Sequence, residues 1–257
     1  MTRTALIGHT GFVGGTLARA SGWDDTFNSS NIADIAGQSY ELLVCAGVSA
    51  VKWMANMDPE ADQAGIARLM HALAQARVRE LILVSTIDVY PDPAAGGTED
   101  TPIDPAANHP YGRHRLELER WAAARFPLLR IIRLPALFGA GLRKNAIFDL
   151  LHSNMLASIN PAGRFQWYPL DRLWTDIATA RENNLHLVNL FPEPIPMSRI
   201  VDGLFPGAPI GPERLPAPTY DVQTRHGPLF GGNDRYIMNE DAVFTALQAF
   251  VAAERAP

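Results

Sequence analysis

A glycine-rich turn near the start of the chain restricts the fold more than any other feature of the sequence. Glycines at positions 8, 11 and 14 form a G-x-x-G-x-x-G pattern between the apolar run 5–7 and the stretch 15–20. Glycine permits a tight strand-to-helix turn, close helix packing and close approach of a pyrophosphate to the backbone. Amides at the start of the following helix offer an anion site. The pattern predicts the first strand and helix of a dinucleotide-binding domain.

Short apolar runs and helical patterns alternate through the first half of the chain. This alternation predicts an α/β fold of the Rossmann type, a doubly wound parallel sheet with helices on its faces. An apolar stripe within 61–76 has the i, i+3, i+4, i+7 spacing of a helix, and a second helix is predicted from Tyr111 to about Arg125. The predicted strands are 5–7, 42–46, 81–85 and 129–134.

The second half of the chain is richer in proline and glycine, and this change predicts a small C-terminal substrate lobe. Prolines and glycines crowd residues 193–228, so this stretch is predicted to be more loop than regular structure. Residues 167–177 read as a strand that leads into a helix, with aromatic side chains in the core. We predict a dinucleotide-binding domain of residues 1–139 and about 167–192, and a substrate-binding lobe of about 140–166 and 193–257.

Composition narrows the classes of function. The 257 residues carry a net charge of −5, with 47% hydrophobic and 19% charged residues, which indicates a folded globule without general affinity for nucleic acid or anionic membranes. Cys45, inside an apolar run, is expected to be a buried hydrophobe. Because no window reaches membrane-spanning length and no leader-like segment is evident, a cytoplasmic location is predicted.

The end of the second strand bears on the choice of cofactor. Our alignment places Asn28 and Ser29 there, where an acidic residue would accept hydrogen bonds from the adenosine ribose. Uncharged side chains do not repel a 2′-phosphate, so NADP(H) is favoured over NAD(H). A shift in register would bring Asp24 or Asp25 to this position and restore NAD(H).

A family resemblance rests on four motifs. These are the glycine turn, the Cys45-Ala46-Gly47 sequence after the next apolar run, the Ser-Thr-x-x-Val-Tyr sequence that begins at Ser85, and a tyrosine, Tyr111, at the start of a helix. Together they resemble the extended short-chain dehydrogenase/reductase family, which contains nucleotide-sugar epimerases, dehydratases and reductases. The resemblance is good over residues 3–145 and loose beyond them.

The resemblance implies roles for individual residues. Tyr111 matches the general acid/base and Thr86 the residue that holds the same substrate oxygen, with Ser85 a weaker candidate for that role. Backbone near Gly47 and Val48 is implied to flank the nicotinamide. The chemistry is sound, because a phenol with a pKa of about 10 needs a nearby cation before it can exchange protons near neutral pH.

Arg115 stands where the family has a lysine. It lies four residues after Tyr111 and therefore on the same helix face. A guanidinium can lower the tyrosine pKa and bind a ribose, but it does not release its proton. Either activity persists with arginine or the site has lost it. The alternative is a solvated helix start in which Arg113 pairs with Glu117, and Arg115 with Glu119.

Residues 135–145 match the stretch that leads into the substrate lobe in the resembling family. Asn145 is the match to an asparagine that contacts a nucleotide-sugar diphosphate, and Lys144 suits an anionic group. The predicted substrate contacts are therefore Thr86, Tyr111, Lys144 and Asn145. The predicted cofactor contacts are Gly8, Thr10, Gly11, Phe12, Val13, Gly14, Asn28, Ser29, Ala46, Gly47, Val48, Ser85, Tyr111, Arg115 and Pro135, and no metal is expected.

The sequence thus predicts an NAD(P)-dependent oxidoreductase or epimerase acting on a carbonyl or hydroxyl group of a small sugar or nucleotide-sugar substrate. A full dehydratase is disfavoured because Ile87 and Asp88 supply only one carboxylate beside Thr86. The competing hypothesis is a nucleotide-binding regulator with the same fold and impaired catalysis, which Arg115 favours. By analogy of fold alone, a homodimer is expected through helices 61–76 and 111–125.

Overall fold

The computed structural model describes residues 3–256 and has alternating strands and helices in its first half. The first elements are β1 (Thr4–Ile7), α1 (Phe12–Ala20), β2 (Asp25–Phe27), β3 (Ser39–Cys45), α2 (Lys52–Met57), α3 (Pro59–Ala74), β4 (Arg77–Thr86), α4 (Pro110–Arg125) and β5 (Leu129–Leu134). They continue with β6 (Ala136–Phe138), α5 (Ala146–His152), β7 (Arg164–Phe165), β8 (Trp167–Pro169), α6 (Leu173–Glu182), β9 (Leu187–Asn189), β10 (Ile195–Pro196), α7 (Met197–Leu204) and α8 (Glu240–Arg255).

The chain forms two compact units. The first comprises the chain as far as Pro91, Thr101–Arg133 and Leu173–Val188, and the second comprises Asp92–Asp100, Leu134–Arg172 and the chain from Asn189 onward. Which unit serves the cofactor and which serves the substrate stays a prediction.

A six-stranded parallel sheet in the order β2-β1-β3-β4-β5-β9 organises the first unit. The predicted Rossmann-type doubly wound fold is therefore confirmed. β2 is added on one side of β1, and β3 and the later strands are added on the other side, so the strand order reverses between β1 and β3. Ligands of such sheets bind at the carboxyl ends of the strands beside this reversal. The turn after β1 and the loop after β3 both lie at that edge.

The sheet is buried on both faces because its strands are continuously apolar. Ile7 and Cys45 belong to a buried cluster that also contains Leu73 of α3 and Leu118 of α4. The intervening side chains, such as Leu6, are equally buried and point to the opposite face. The expected burial of Cys45 is confirmed, and burial raises the pKa of its thiol to about 11.

The second unit has its own core of buried side chains, which includes Phe138, Ile147, Val201 and Leu247. Two short strand pairs belong to it: β6 with β8, which are parallel, and β7 with β10, which are antiparallel. The predicted burial of the aromatic side chains at the start of 167–177 is confirmed, since Trp167 is 2% exposed.

Residues 193–228 are mostly loop, as predicted, but two helices, one in each half of the chain, were not expected. The stretch 193–228 contains the helix α7, because Met197, Ile200, Val201 and Leu204 form an apolar stripe that buries one helix face. The short helix α2 was not predicted at all. Within the described residues 3–256, no helix is long and apolar enough to span a membrane, and no cluster of three metal-ligating side chains occurs.

Candidate functional site

The glycine turn forms a cradle that side chains would fill. A Cβ on Gly8, which has a φ of +91°, would lie 2.3 Å from the carbonyl oxygen of Ala46. A Cβ on Gly14 would lie 2.0 Å from the carbonyl oxygen of Gly8, whereas one on Gly11 would have its nearest contact at 3.4 Å. Gly8 and Gly14 are thus required by packing. Packing does not require Gly11, and a glycine at this position would allow close approach of a ligand.

The N-terminus of α1 opens onto this cradle. Gly11 is the N-cap residue and makes no side-chain capping bond, so the first helical amides, beginning with Phe12 and Val13, have no capping side chain. Amides at a helix start attract a phosphate through their N–H groups and the helix dipole. The cradle and these amides, with Thr10 exposed in the same turn, fit the pyrophosphate of a dinucleotide.

Uncharged side chains follow β2, as predicted. Asn28 comes directly after the strand and its side-chain oxygen accepts hydrogen bonds from the backbone and hydroxyl groups of Ser30, at 2.8 and 2.6 Å. The carboxylates that precede this point have other partners. Asp24 accepts from the Thr4 amide at 2.7 Å, and Asp25 accepts from the Tyr40 hydroxyl at 2.8 Å.

His9, which sequence reasoning missed, also reaches the end of β2. Its Nδ1 lies 3.1 Å from the carbonyl oxygen of Phe27. Because a carbonyl only accepts hydrogen bonds, Nδ1 carries the proton in this contact. The histidine ring therefore joins Asn28 and Ser29 at the strand end.

The loop after β3 passes close to the glycine turn. The Ala46 amide donates to the Ile7 carbonyl at 2.9 Å, and a Cβ on Gly47 would lie 2.6 Å from Cγ2 of Ile7. The backbone from Ala46 to Val48 is thereby fixed beside the cradle. Its role as a nicotinamide contact stays a prediction.

The structure brings Thr86 and Tyr111 together. Thr86 is the last residue of β4 and Tyr111 lies in the first turn of α4. The Tyr111 side chain is only 7% exposed, and the Thr86 hydroxyl is near enough to the phenol to act on its pKa. A strand end and a helix start that are 25 residues apart thus form one polar pair at the carboxyl edge of the sheet.

Close packing at the start of α4 fixes this pair. A Cβ on Gly112 would lie 2.0 Å from the carbonyl oxygen of Asp88, and the Asn108 amide donates to that same oxygen at 2.9 Å. From α2, the Asn56 side chain accepts from the Tyr111 backbone amide at 3.0 Å. Three residues that were not singled out in the sequence therefore position Tyr111.

Arg115 is buried and held by four hydrogen bonds. Its guanidinium donates to both carboxylate oxygens of Asp62, at 2.7 and 2.9 Å, to the Ser49 carbonyl at 2.6 Å and to the Tyr111 carbonyl at 3.0 Å. Although burial acts to raise it, hydrogen bonds from Arg115 and His114 hold the pKa of Asp62 below its usual value. The predicted shared helix face of Tyr111 and Arg115 is confirmed.

The alternative interpretation of α4 as a solvated helix start is wrong for Arg115 and Glu119. Glu119 is 3% exposed and binds Arg133, at 2.6 and 3.0 Å, instead of Arg115. It also accepts a hydrogen bond from the Ser85 hydroxyl. Ser85 is therefore engaged with Glu119 of α4, while the Thr86 hydroxyl donates to Asp88 at 3.5 Å.

Charges from three elements act on the Tyr111 hydroxyl. Burial is the largest influence and raises its pKa, and the Asp88 carboxylate adds to this effect. The positive charges of Arg115 and Lys52 and the nearby Thr86 hydroxyl act in the opposite direction. The net pKa lies above its usual value, so the phenol is protonated in this state.

His109 borders the same site as the N-cap residue of α4. Its Nδ1 accepts a hydrogen bond from the Gly112 amide at 3.1 Å, so the proton of the neutral ring is on Nε2. Burial and the positive charge of Lys52 lower the pKa of His109. His109 is therefore a neutral imidazole that can donate a hydrogen bond from Nε2.

The remaining predicted substrate and cofactor residues lie in the second unit. Pro135 is buried directly after β5, and Lys144 is exposed. Asn145 caps α5: its side chain accepts from the Ile147 amide at 3.0 Å and donates to the Leu137 carbonyl at 2.8 Å. Any ligand contact by Asn145 would compete with this capping role.

A groove of about 780 Å³ occurs at the amino ends of the strands, away from the glycine cradle. Charged side chains in its wall pair with one another, as Arg79 does with Glu41. It contains none of the predicted site residues and lies at the edge opposite to the one where doubly wound folds bind ligands.

Comparison with known proteins gives the family. Residues 24–161, more than half of the chain, match the model of the NAD dependent epimerase/dehydratase family. The chain belongs to this family. The matched region includes Thr86, Tyr111 and Arg115 and begins after the glycine turn. No curated protein matches the chain in sequence.

Solved structures share the fold at low sequence identity. The dTDP-4-dehydrorhamnose reductase from Yersinia enterocolitica is 14% identical with a TM-score of 0.74, covering 99% of this chain and 100% of that one. MoeE5, in complex with UDP-glucuronic acid and NAD, is 20% identical with a TM-score of 0.72 and the same coverage. The UDP-N-acetylglucosamine 4-epimerase from Bacillus cereus is 14% identical with a TM-score of 0.68, covering 100% of both chains.

Proposed function

We propose that the protein is an NAD(P)-dependent epimerase or reductase that acts on a carbonyl or hydroxyl group of a small sugar or nucleotide-sugar substrate. The placement of Thr86 at the end of β4 and of the buried Tyr111 at the start of α4 carries this proposal, because both lie at the same edge of the sheet as the glycine cradle. Membership of the epimerase/dehydratase family and the named activities of proteins with this fold support it.

The chemistry divides between the cofactor and the chain. A bound nicotinamide would supply or accept a hydride at the substrate carbon. Tyr111 gives a proton to the substrate oxygen, or takes one from it, and the Thr86 hydroxyl holds that oxygen in place. The guanidinium of Arg115, 3.7 Å from the centroid of the Tyr111 ring, stabilises the phenolate that remains after proton donation.

Reduction or epimerisation is favoured over dehydration. Elimination of water needs an acid and a base besides the tyrosine. Ile87, directly after Thr86, is apolar and buried, and Asp88 is paired with Lys52 at 2.6 Å. One paired carboxylate does not supply both roles.

For the cofactor we propose NADP(H) in preference to NAD(H). Asn28 and Ser29 place no negative charge at the end of β2, and Asp24 and Asp25 are engaged elsewhere. The position of the ribose in doubly wound folds is beside this strand end. An added 2′-phosphate would meet hydroxyl and amide groups there, together with the ring of His9.

The substrate class is proposed from charge and from proteins with the same fold. Arg143 and Lys144 are exposed on one loop of the second unit and suit an anionic group such as a diphosphate. MoeE5 is named as a complex with UDP-glucuronic acid and NAD. A nucleoside diphosphate sugar carries both a diphosphate and a sugar hydroxyl or carbonyl of the kind on which Tyr111 is proposed to act.

Turnover with a panel of nucleoside-diphosphate sugars and 4-keto sugars tests the proposal. Purified protein is incubated with NADPH or NADP⁺ and each compound, and both nicotinamide absorbance and product mass are followed. Turnover that disappears in Tyr111→Phe, with cofactor binding retained, is the expected result. Turnover that Tyr111→Phe leaves unchanged would contradict the assigned role.

A second candidate function, a nucleotide-binding regulator without catalysis, is favoured by one observation. The four hydrogen bonds of Arg115 to Asp62, Ser49 and Tyr111 occupy its terminal nitrogens. Few donors then remain for a nicotinamide ribose. This function predicts cofactor binding with no change in cofactor redox state under any substrate of the panel.

A further inference from the structure

His109 is the N-cap residue of α4, and one hydrogen bond fixes the orientation of its ring. Nδ1 accepts this bond from the Gly112 amide at 3.1 Å. A ring nitrogen that accepts a hydrogen bond carries no proton, so the proton of the neutral ring is on Nε2. The two ring nitrogens point in widely different directions. The Nε2–H group therefore points away from the amides at the start of α4.

This Nε2–H group lies at the edge of the sheet that carries the candidate site. α4 connects the parallel neighbours β4 and β5, so its first residues are at the carboxyl edge, as the glycine cradle is. His109 is half-buried, and the centroid of its ring is 6.3 Å from that of the Tyr111 ring. Within residues 3–256, Nε2 of His109 has no hydrogen-bond partner. A donor without a partner in this part of the chain thus lies beside the phenol.

The surroundings of His109 keep its ring neutral. Protonation of Nδ1 would break the bond to Gly112 and would place a positive charge at the start of a helix, where the helix dipole opposes it. Burial and the positive charge of Lys52 lower the pKa of His109, and Arg115 acts in the same direction, while Asp88 and a backbone hydrogen bond act against them. The net pKa lies below its ordinary value. Near neutral pH the ring is therefore a hydrogen-bond donor and not a source of protons.

A donor of this kind has a use in the chemistry proposed for Tyr111. Negative charge grows on a carbonyl oxygen as its carbon is reduced, and a fixed N–H group aimed at that oxygen stabilises the charge. A neutral imidazole at a helix start can polarise a carbonyl in this way. Two groups that each bond to one oxygen at about 3 Å can lie about 6 Å apart, which the positions of the two rings permit. The Thr86 hydroxyl already donates to Asp88 at 3.5 Å, so a second donor adds to what it can provide.

We propose that the Nε2–H group of His109 donates a hydrogen bond to the substrate oxygen on which Tyr111 acts, and polarises the bond of that oxygen to carbon. This inference rests on the proposed function, in which Tyr111 is the acid/base. Tyr111 moves the proton, and His109 stabilises the charge on the oxygen during the transfer. Because a neutral imidazole brings no charge, it suits a carbonyl or hydroxyl oxygen of a sugar and not a phosphate.

The protonation of His109 is tested by ¹⁵N NMR of histidine-labelled protein without ligand. The His109 resonances are those missing from His109→Ser. A neutral ring with its proton on Nε2 is expected at and above about pH 7. A proton on Nδ1, or a positively charged ring at neutral pH, would overturn the proposal.

Turnover of the panel compounds tests the contact with the substrate. Serine is a good N-cap residue that can accept from the Gly112 amide, but its short side chain does not reach the position of Nε2. His109→Ser is expected to lower kcat about 100-fold, the effect of losing one donor to an oxygen that gains charge. KM should stay within about twofold of its wild-type value, because the lost bond strengthens only in the transition state. The urea midpoint and the affinity for NADPH should not change.

Two other variants control for a structural role. His71→Ser, at an exposed position in the last turn of α3, should leave every readout unchanged. His109→Ala removes both the cap and the donor, and should lower the urea midpoint as well as kcat. A kcat that falls in His109→Ala and returns to the wild-type value in His109→Ser would show that only the cap matters, and would overturn the proposal.

Failure of this inference and failure of the proposed function give different results. Turnover by the wild type that His109→Ser leaves unchanged would overturn the role of His109 alone. Absence of turnover by the wild type with every compound would overturn the proposed function, and this role with it.

Discussion

The guanidinium carbon of Arg115 lies 3.7 Å from the centroid of the Tyr111 ring, while the same guanidinium binds both carboxylate oxygens of Asp62. The arginine therefore acts on Tyr111 through the face of its ring. It also ties α4, which carries the tyrosine, to α3, which carries the aspartate. Arg115 thus has both a proposed role in catalysis and a structural role, and substitutions can separate the two.

Replacing Arg115 tests how much this residue contributes to the stability of the fold. Arg115→Met leaves Asp62 buried without its main partner and should lower the free energy of unfolding by about 3–5 kcal/mol. Arg115→Lys retains a charge but not the paired geometry, and should lower it by about 1–3 kcal/mol. Urea unfolding measures both. A change below about 0.5 kcal/mol in Arg115→Met would contradict a structural role, and Arg113→Met, on an outer position of α4, serves as the control.

The same ion pair predicts a dependence of stability on acid pH. The pKa of Asp62 is lower in the folded chain than its ordinary value of about 3.9, so ionised Asp62 stabilises the fold at neutral pH. This contribution is present above the ordinary pKa and is lost as pH falls through the lower folded-state value. Asp62→Asn should therefore flatten the acid limb of the stability profile, measured by urea unfolding at a series of pH values. An acid limb identical to that of the wild type would refute the assignment.

Substitutions in the glycine turn can distinguish glycines needed for packing from glycines needed for close approach of a ligand. Gly14→Ala places a Cβ 2.0 Å from a backbone oxygen and should impair both stability and cofactor binding. Gly11→Ala has its nearest contact at 3.4 Å, so its unfolding free energy should change by less than about 1 kcal/mol while binding of NADPH is lost. Calorimetry and urea unfolding provide the two readouts. Full NADPH affinity in Gly11→Ala would show that the turn does not hold the pyrophosphate.

The end of β2 predicts a switch in cofactor preference. Asn28→Asp introduces a carboxylate where a 2′-phosphate would lie, and should weaken NADPH binding about tenfold, equivalent to about 1.4 kcal/mol, while favouring NADH. Asn183→Asp, the same substitution at an exposed position beyond α6, controls for net charge. Equal effects of the two variants on NADPH would remove the basis for the proposed preference.

Local patterns in the sequence predicted the central sheet and the polar pair. The strand Leu129–Leu134 appears with the predicted bounds because a continuous apolar run in a parallel sheet leaves little choice. The sequence could predict that Thr86 and Tyr111 lie near each other, because the carboxyl ends of parallel strands and the starts of the helices that follow them meet at one edge of the sheet.

Contacts between distant parts of the chain could not be predicted in this way. Asp62 lies 53 residues before Arg115 in sequence, whereas the i, i+4 rule offered Glu119, which binds Arg133 instead. The helix α2 gave no periodic signal because its large apolar side chains are exposed and only Ala55 is buried. The Trp53 side chain, for example, is 64% exposed. Lys52 and Asn56 therefore escaped notice, although both contact the site.

Binding of nicotinamide dinucleotides tests the central claim most directly. Calorimetric titration of the wild-type protein with NADPH and with NADH is predicted to show saturable binding of one molecule per chain, tighter for NADPH. The predicted dissociation constant is in the micromolar range, which corresponds to a binding free energy of about −8 kcal/mol. Tyr111→Phe should bind equally well, since it retains the cradle. Absence of binding to either dinucleotide, together with no shift in thermal unfolding at millimolar concentration, would contradict the account and leave the glycine turn as packing alone.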